Sequence, residues 1–231
     1  MIISKLSDMR NKIKYGEISY PITHKESYLE FNSPQKARSW GMSHYEQWSK
    51  LYKRQMEFAE QVIKTSLCTA PIECYCGESY RNINEYLRQG IDTKNNLYRE
   101  LSDILSLVLC SAPKIPCNLV LYRMVNDDFI HILIEKNKQS TPCPAQEMGF
   151  MSTSLLKSIT NQSEAYAAEK NLLKIYVPKD TIGIYVNAVT KRSEEEILLL
   201  PGMFLGLAAY PYQDKETGKT IYECNLLAFY I

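Results

Sequence analysis

The sequence predicts an α+β fold, with helices gathered in its first half and strands in its second. Three observations lead there. Between Pro34 and Ser111, apolar residues recur at three- and four-residue steps, the period of an amphipathic helix. After Asn118 they fall instead into short β-prone runs separated by turn formers. The two patterns do not alternate, which argues against a repeating βαβ chain. No internal repeat or low-complexity linker interrupts the 231 residues. One domain is therefore expected over 1–231, with 1–34 an N-terminal extension, 35–112 mainly helical and 118–231 mainly β.

The elements follow in order. Residues 1–34 read as a short helix and a polar, proline-containing loop. Ser33-Pro34 marks a helix start, because proline fits the first turn, where its missing N–H is not needed. From there Trp40, Tyr45, Trp48, Leu51, Tyr52, Met56, Phe58, Ala59 and Val62 trace an amphipathic helix, in one piece or two. Residues 74–90 read as a loop and then a short helix over 79–88, capped by Gly90. Residues 97–111 form another helix, with Leu101, Ile104, Leu105, Val108 and Leu109 on the buried face and Pro113 and Pro116 beyond its end. Strands are expected at 118–124, 172–177, 182–186, 196–200, 204–210 and 220–231. The segment 214–219 turns between the last two, and 163–170 is a candidate short helix.

Composition excludes several classes. Hydrophobic content of 45% and charged content of 23% fit a soluble globular protein. A net charge of +1 supplies no field toward nucleic acid or acidic membranes. No apolar run approaches the roughly 18 residues of a membrane span. Met1 to Tyr20 carries basic residues but no continuous apolar stretch, so no signal peptide is read there. Seven cysteines cannot all pair internally, and no CxxC is present, which argues against structural zinc. His24, His44 and His131 are scattered and match no HExxH pattern. No metal is expected. Some of the seventeen tyrosines are core positions, and others could stack on a planar ligand.

Three short signals carry chemistry. In Leu119-Val120-Leu121-Tyr122-Arg123-Met124 an arginine ends an apolar strand, and burying its charge is costly unless it is paired. A structural salt bridge and a bidentate phosphate contact both account for it. Gly149-Phe150-Met151-Ser152-Thr153-Ser154 places three small hydroxyls after an apolar pair; such hydroxyls can hold a carboxylate in one rotamer. Arg192-Ser193-Glu194-Glu195-Glu196-Ile197-Leu198-Leu199-Leu200 sets two carboxylates two residues apart before an apolar run. In a strand Glu194 and Glu196 would share a face, about 7 Å apart, with Glu195 on the other. Taken alone, that cluster reads as a solvated strand entry.

Arginine, Ser-Thr-Ser and Glu-x-Glu, in that order and each on an expected strand, resemble the arginine-class mono-ADP-ribosyltransferases. The resemblance is nearest to the bacterial exoenzyme family that includes the enzymatic components of binary actin-modifying toxins. Upstream, Lys36-Ala37-Arg38-Ser39-Trp40-Gly41 is similar to the family's helical lead-in. Tyr75-Cys76-Gly77-Glu78-Ser79-Tyr80-Arg81-Asn82-Ile83-Asn84-Glu85-Tyr86-Leu87-Arg88 is similar to its Tyr-x-Gly-x-x-Tyr-x-x-Ile-Asn-x-x-Leu-Arg segment. The resemblance covers about residues 36–231. It implies N-terminal helices packed on a β-sandwich core of mixed strands.

It also implies roles. The implied activity is transfer of ADP-ribose from NAD to a protein side chain, arginine favoured, with an NAD glycohydrolase or a non-catalytic interaction domain on the same fold as the alternatives; NAD would be the co-substrate, with no metal. Arg123 would contact its phosphates and brace the cleft, Ser152 would hydrogen-bond Glu196, and Ser152 and Thr153 would help to bind NAD. Glu196 would bind the nicotinamide-ribose hydroxyl and stabilise the developing oxocarbenium ion, while Glu194 would orient or deprotonate the acceptor side chain. Tyr75, Tyr80 and Asn84 would line the NAD cleft, and Arg88 would stand near the phosphates. The implied partner is a host or target protein with an acceptor arginine, actin among the candidates. A monomer is expected, secreted or delivered into a target cell. Two departures bear on the target. Residues 188–193 lack the aromatic that relatives with protein targets often carry there, and Met124 stands where actin-modifying members often have a second basic residue. Glu194, rather than glutamine, separates the chain from the asparagine-modifying Rho class.

Overall fold

The computed structural model of the protein describes residues 2–63, 70–161, 168–192 and 194–227. Helix α1 (Ile2–Tyr15) leads through a polar connection to α2 (Pro34–Ile63), a single 30-residue helix rather than two pieces. Tyr45 and Tyr52 are buried along it, with Trp40, Trp48 and Met56 packed against the core. Leu51, Phe58 and Val62 depart from the expected stripe and stand exposed. Leu51, for example, lies about 100° round the helix from Tyr52. Gly41 fits α2 to its neighbour, because a Cβ there would lie 2.5 Å from the Tyr185 ring.

The loop expected from Cys74 is instead a helical run. It starts at α3 (Pro71–Cys74), whose proline occupies the first turn, and widens into a π-helical turn over Tyr75–Ser79. Gly77 interrupts that turn with φ −85° and ψ −118°. Helix α4 (Tyr80–Gln89) follows and closes on Gly90 in the left-handed conformation, as its sequence predicts. Helix α5 (Leu97–Ser111) buries Leu101, Leu105 and Leu109; Ile104 and Val108 are half-buried. Helix α6 (Asp127–Asn137) is an element the sequence analysis does not anticipate. Asn126 caps it by accepting from the Phe129 amide at 3.1 Å, with Asp127 and Asp128 in its first turn.

The strands are β1 (Leu119–Val125), β2 (Ala145–Glu147), β3 (Met151–Ser154), β4 (Asn171–Val177), β5 (Gly183–Tyr185), β6 (Glu196–Leu199), β7 (Met203–Leu207), β8 (Tyr212–Gln213) and β9 (Thr220–Leu227). The pairing order is β2-β7-β9-β4-β1-β3-β6-β5, with β8 on β9. These pairings are antiparallel apart from the parallel β4–β9 pair, so the α+β class and its mixed strands hold. The turn at 214–219 forms where expected but joins the short β8, not β7, to β9. Most of the candidate helix at 163–170, and the end of the 220–231 strand, lie outside the described residues.

One register detail positions the site. Strands β1 and β3 join through the single pair Tyr122–Ser154, so the sheet divides there into β2-β7-β9-β4-β1 and β3-β6-β5. Alternation along β1 sends Leu119, Leu121 and Val125 into the main core and Val120 and Tyr122 into a smaller one behind. Arg123 shares the parity of the main-core residues. Its guanidinium therefore reaches inward just where the two halves part.

Candidate active site

A cavity of about 400 Å³ opens at that parting, within the size range of small-molecule sites. One wall is the 75–88 segment; the other is β1, β3 and the entry to β6. Tyr75, Tyr80, Asn84, Arg88, Arg123, Ser152, Thr153, Glu194 and Glu196 all line it. These nine are the residues the sequence singles out, drawn from four separate segments. Cys76, Arg81, Phe150 and Arg192 also line it, without having been singled out.

Arg123 is held by a carboxylate that sequence reasoning misses. Glu147, buried at the end of β2, accepts from Arg123 Nη2 at 3.3 Å and from Arg88 Nε and Nη2 at 3.0 and 3.2 Å. It also accepts from the Gly149 amide at 2.9 Å. Burial by itself would raise the Glu147 carboxyl. The guanidinium groups of Arg123 and Arg88 and the Gly149 amide overcome this and hold it below the usual range. Arg123 Nη1 adds a 3.4 Å contact to the Ser152 carbonyl. Of the two uses open for Arg123, the salt bridge is present, while the side chain still lines the cavity. The one available signal for Glu147 was a carboxylate two residues before Gly149, at the start of the hydroxyl motif.

The aromatic wall is internally braced. Asn84 donates to the Tyr75 hydroxyl at 2.9 Å and accepts from the Phe150 amide at 2.8 Å. Tyr75 packs edge-on against Phe150, with centroids 5.3 Å apart. Tyr75 and Asn84 are therefore buried in the wall, whereas Tyr80 is 41% exposed at its rim under the Arg81 guanidinium. Gly149 leaves room for this bracing, since a Cβ there would meet Asn84 Oδ1 at 2.9 Å.

The three hydroxyls have different partners. Ser152 Oγ donates to Glu196 Oε1 at 2.5 Å, Thr153 Oγ1 donates to the Ile197 carbonyl at 2.7 Å, and Ser154 Oγ accepts from the Leu156 amide at 3.0 Å. Glu196 opens β6, but Glu194 lies before the strand rather than on it. Both still line the cavity. Glu195 points the other way, as alternation requires, yet it is not solvated. It is 1% exposed and accepts from Arg38 Nη2 and Nε at 2.8 and 3.1 Å and from the Tyr185 hydroxyl. The middle glutamate thus pins the strand entry to α2.

Glu196 is 2% exposed. Burial pushes its carboxyl up, and Glu194 adds to this, against the downward pull of Ser152, Arg192 and Arg123. Its Oε2 is enclosed and makes no hydrogen bond, although Arg192 Nε stands 3.1 Å away as an ion-pair partner. One oxygen of the carboxylate is therefore fixed, and the other accepts no hydrogen bond and lies against Arg192.

The family model for ADP-ribosyltransferase exoenzymes matches residues 37–204. The fold is similar to that of BECa, an ADP-ribosylating toxin of a binary enterotoxin of C. perfringens determined with NADH. The identity is 23% and the TM-score 0.67, over 87% of this chain and 50% of that one. It is also similar to the Clostridium limosum C3 exoenzyme (18% identity, TM-score 0.60, 87% and 98% covered). A third likeness is to C3stau2 from S. aureus with NAD (19%, 0.59, 87% and 99%). The chain spans half the length of BECa and nearly all of the two C3 chains; at these identities the likeness is one of fold. Among curated proteins none matches this chain in sequence.

Proposed function

The chain belongs to the ADP-ribosyltransferase exoenzyme family, and from that premise we propose that it moves ADP-ribose from NAD to an arginine side chain of a target protein and releases nicotinamide. The observation that carries this reading is the Glu196 carboxylate. Ser152 fixes one of its oxygens at 2.5 Å, and the other is buried beside the cavity without a hydrogen bond. Such a group is suited to accept from a ribose hydroxyl and to stabilise positive charge developing beside it.

The residues present fit NAD. Arg81, Arg88 and Arg123 bring positive charge to the cavity for a pyrophosphate, and Tyr80, exposed at the rim and backed by the buried Tyr75 and Phe150, offers aromatic surface for a planar ring. When bound, NAD supplies a ribosyl group whose bond to a positively charged nicotinamide breaks with neutral nicotinamide as leaving group. Glu196 holds and stabilises the ribose. Glu194, two residues away on the same cavity, pairs with the incoming guanidinium. An arginine side chain stays protonated in water, so charge pairing and orientation carry more of Glu194's work than outright deprotonation. We place the protein among bacterial toxins or effectors that act inside a target cell, on the support of its family and of the toxins that share its fold.

Labelled NAD, supplied with agmatine and separately with a target-cell lysate, tests the reading. Label is expected on agmatine and on a small set of lysate proteins. Nicotinamide release at an undiminished rate with no acceptor labelled would make the protein an NAD glycohydrolase. Absence of any nicotinamide release would overturn the proposal.

A further inference from the structure

Arg192 is engaged on both sides of the cavity. Its Nε lies 3.1 Å from Glu196 Oε2, and its Nη1 donates to the Cys76 carbonyl in the opposite wall at 2.6 Å. Asn187 grips the same loop, donating to the Arg192 carbonyl at 3.0 Å and accepting from the Glu196 amide at 3.4 Å. The carboxylate oxygen left for a ligand is thus the one that Arg192 covers. Because Oε2 is enclosed with the Arg192 guanidinium against it, a hydroxyl seeking that oxygen must displace the guanidinium.

We infer that Arg192 is a latch: in the free protein it covers Glu196 Oε2 and ties the loop bearing Glu194 to the Cys76 wall, and it must swing aside for the nicotinamide ribose to bind. This rests on the proposed role of Glu196. It makes Arg192 a positioning residue that sets NAD affinity at the expense of an internal ion pair. It also couples NAD entry to release of the segment that carries Glu194. The charged and titratable groups facing Glu196 are Arg192 and Glu194 from its own loop, Arg123 from β1, and Cys76 and Tyr75 from the π-helical turn; Ser152 from β3 donates to it. Arg192 and Arg123 are the cations of this set, so loss of Arg192 leaves Glu196 easier to protonate.

The test compares wild-type protein with Arg192→Ala and Arg192→Lys. NADH, whose uncharged dihydronicotinamide ring is not released, serves as the calorimetric probe, and nicotinamide release from NAD gives the rate. Arg192→Ala should bind NADH roughly five- to ten-fold tighter, as expected for loss of one competing charged contact. The acid limb of its kcat/KM profile, which reports the free enzyme, should move to higher pH. A lysine keeps the charge but cannot bridge both walls, so Arg192→Lys should bind with intermediate affinity and leave the acid limb near its wild-type position. Equal or weaker NADH binding by a variant that melts like wild type overturns the latch. If Arg192→Ala does not fold, the lysine variant decides by the same criterion. A wild-type protein that releases no nicotinamide refutes the enzymatic reading, whereas the NADH comparison still decides the latch.

Discussion

Ser152 Oγ bonds Glu196 Oε1 at 2.5 Å although the two residues are not register partners. Glu196 stands opposite Ser154, and Ser152 pairs with Leu198. The bond runs diagonally along one face of the β3–β6 ladder, within reach of a glutamate side chain. This explains why a hydroxyl is needed at 152 while Thr153 and Ser154 serve the backbone. Removing it frees the carboxylate to rotate. A hydrogen bond to a charged group is worth about 1.5–3 kcal/mol. Ser152→Ala should therefore slow nicotinamide release by about 10- to 100-fold, with a loss of stability of the same order as the bond. Unaltered release kinetics would remove Ser152 from the positioning machinery.

The two glutamates of the cavity should separate the half-reactions. Glu196→Gln should lose both transfer to agmatine and NAD hydrolysis, by about 100-fold or more, the scale of a lost electrostatic stabiliser. Glu194→Gln should lose transfer to a similar degree while hydrolysis stays within a few-fold of wild type. Parallel assays of labelled agmatine and free nicotinamide read both. Equal loss of the two activities in Glu194→Gln would contradict the division of labour.

Glu147 is the buried anion between Arg88 and Arg123, and Arg123 is only 16% exposed. Glu147→Gln leaves that guanidinium without its counter-charge. Breaking a buried pair in this way costs about 3–5 kcal/mol, and Arg88, nearly half exposed, adds little to it. Urea unfolding at neutral pH should show a loss of this order. Since the Glu147 carboxyl is held low, its stabilisation is present above the ordinary carboxylate range and fades as pH falls through the lowered value. Wild type and variant should therefore converge in acid.

Glu196 carries the opposite sign. Its carboxyl is pushed up by burial, so ionisation at neutral pH opposes folding, and the penalty disappears only below the ordinary carboxylate range. Glu196→Gln should raise Tm at neutral pH while abolishing activity, the trade expected at a functional site. The gain should vanish near pH 4, where the wild-type side chain is protonated in both states. A lower Tm for the variant at neutral pH would show that pairing with Arg192 outweighs burial.

Much of this protein was legible in the chain itself. Periodicity placed α2, α4, α5 and the longer strands, because amphipathic patterns record which face of an element is buried. Short elements escaped: α6 offers a weak apolar stripe, and β2 is three residues long. The nine candidate residues follow from a motif order that resembles a known family's, and they line one cavity.

Local patterning marked the longer helices and strands, the order of the motifs and the alternation that turns Glu195 away from Glu194 and Glu196. Which charge meets which came from the packing of distant segments. Glu195 is a buried tether because Arg38 arrives from 157 residues upstream. Arg123 is braced because Glu147 lies 24 residues further on, with Arg88 59 residues before that glutamate. Arg192 covers Glu196 while reaching a carbonyl 116 residues away. A local pattern records the period of one segment. The environment of a buried charge is set by distant segments brought against it, and that environment fixes its protonation, its orientation and its accessibility to a ligand.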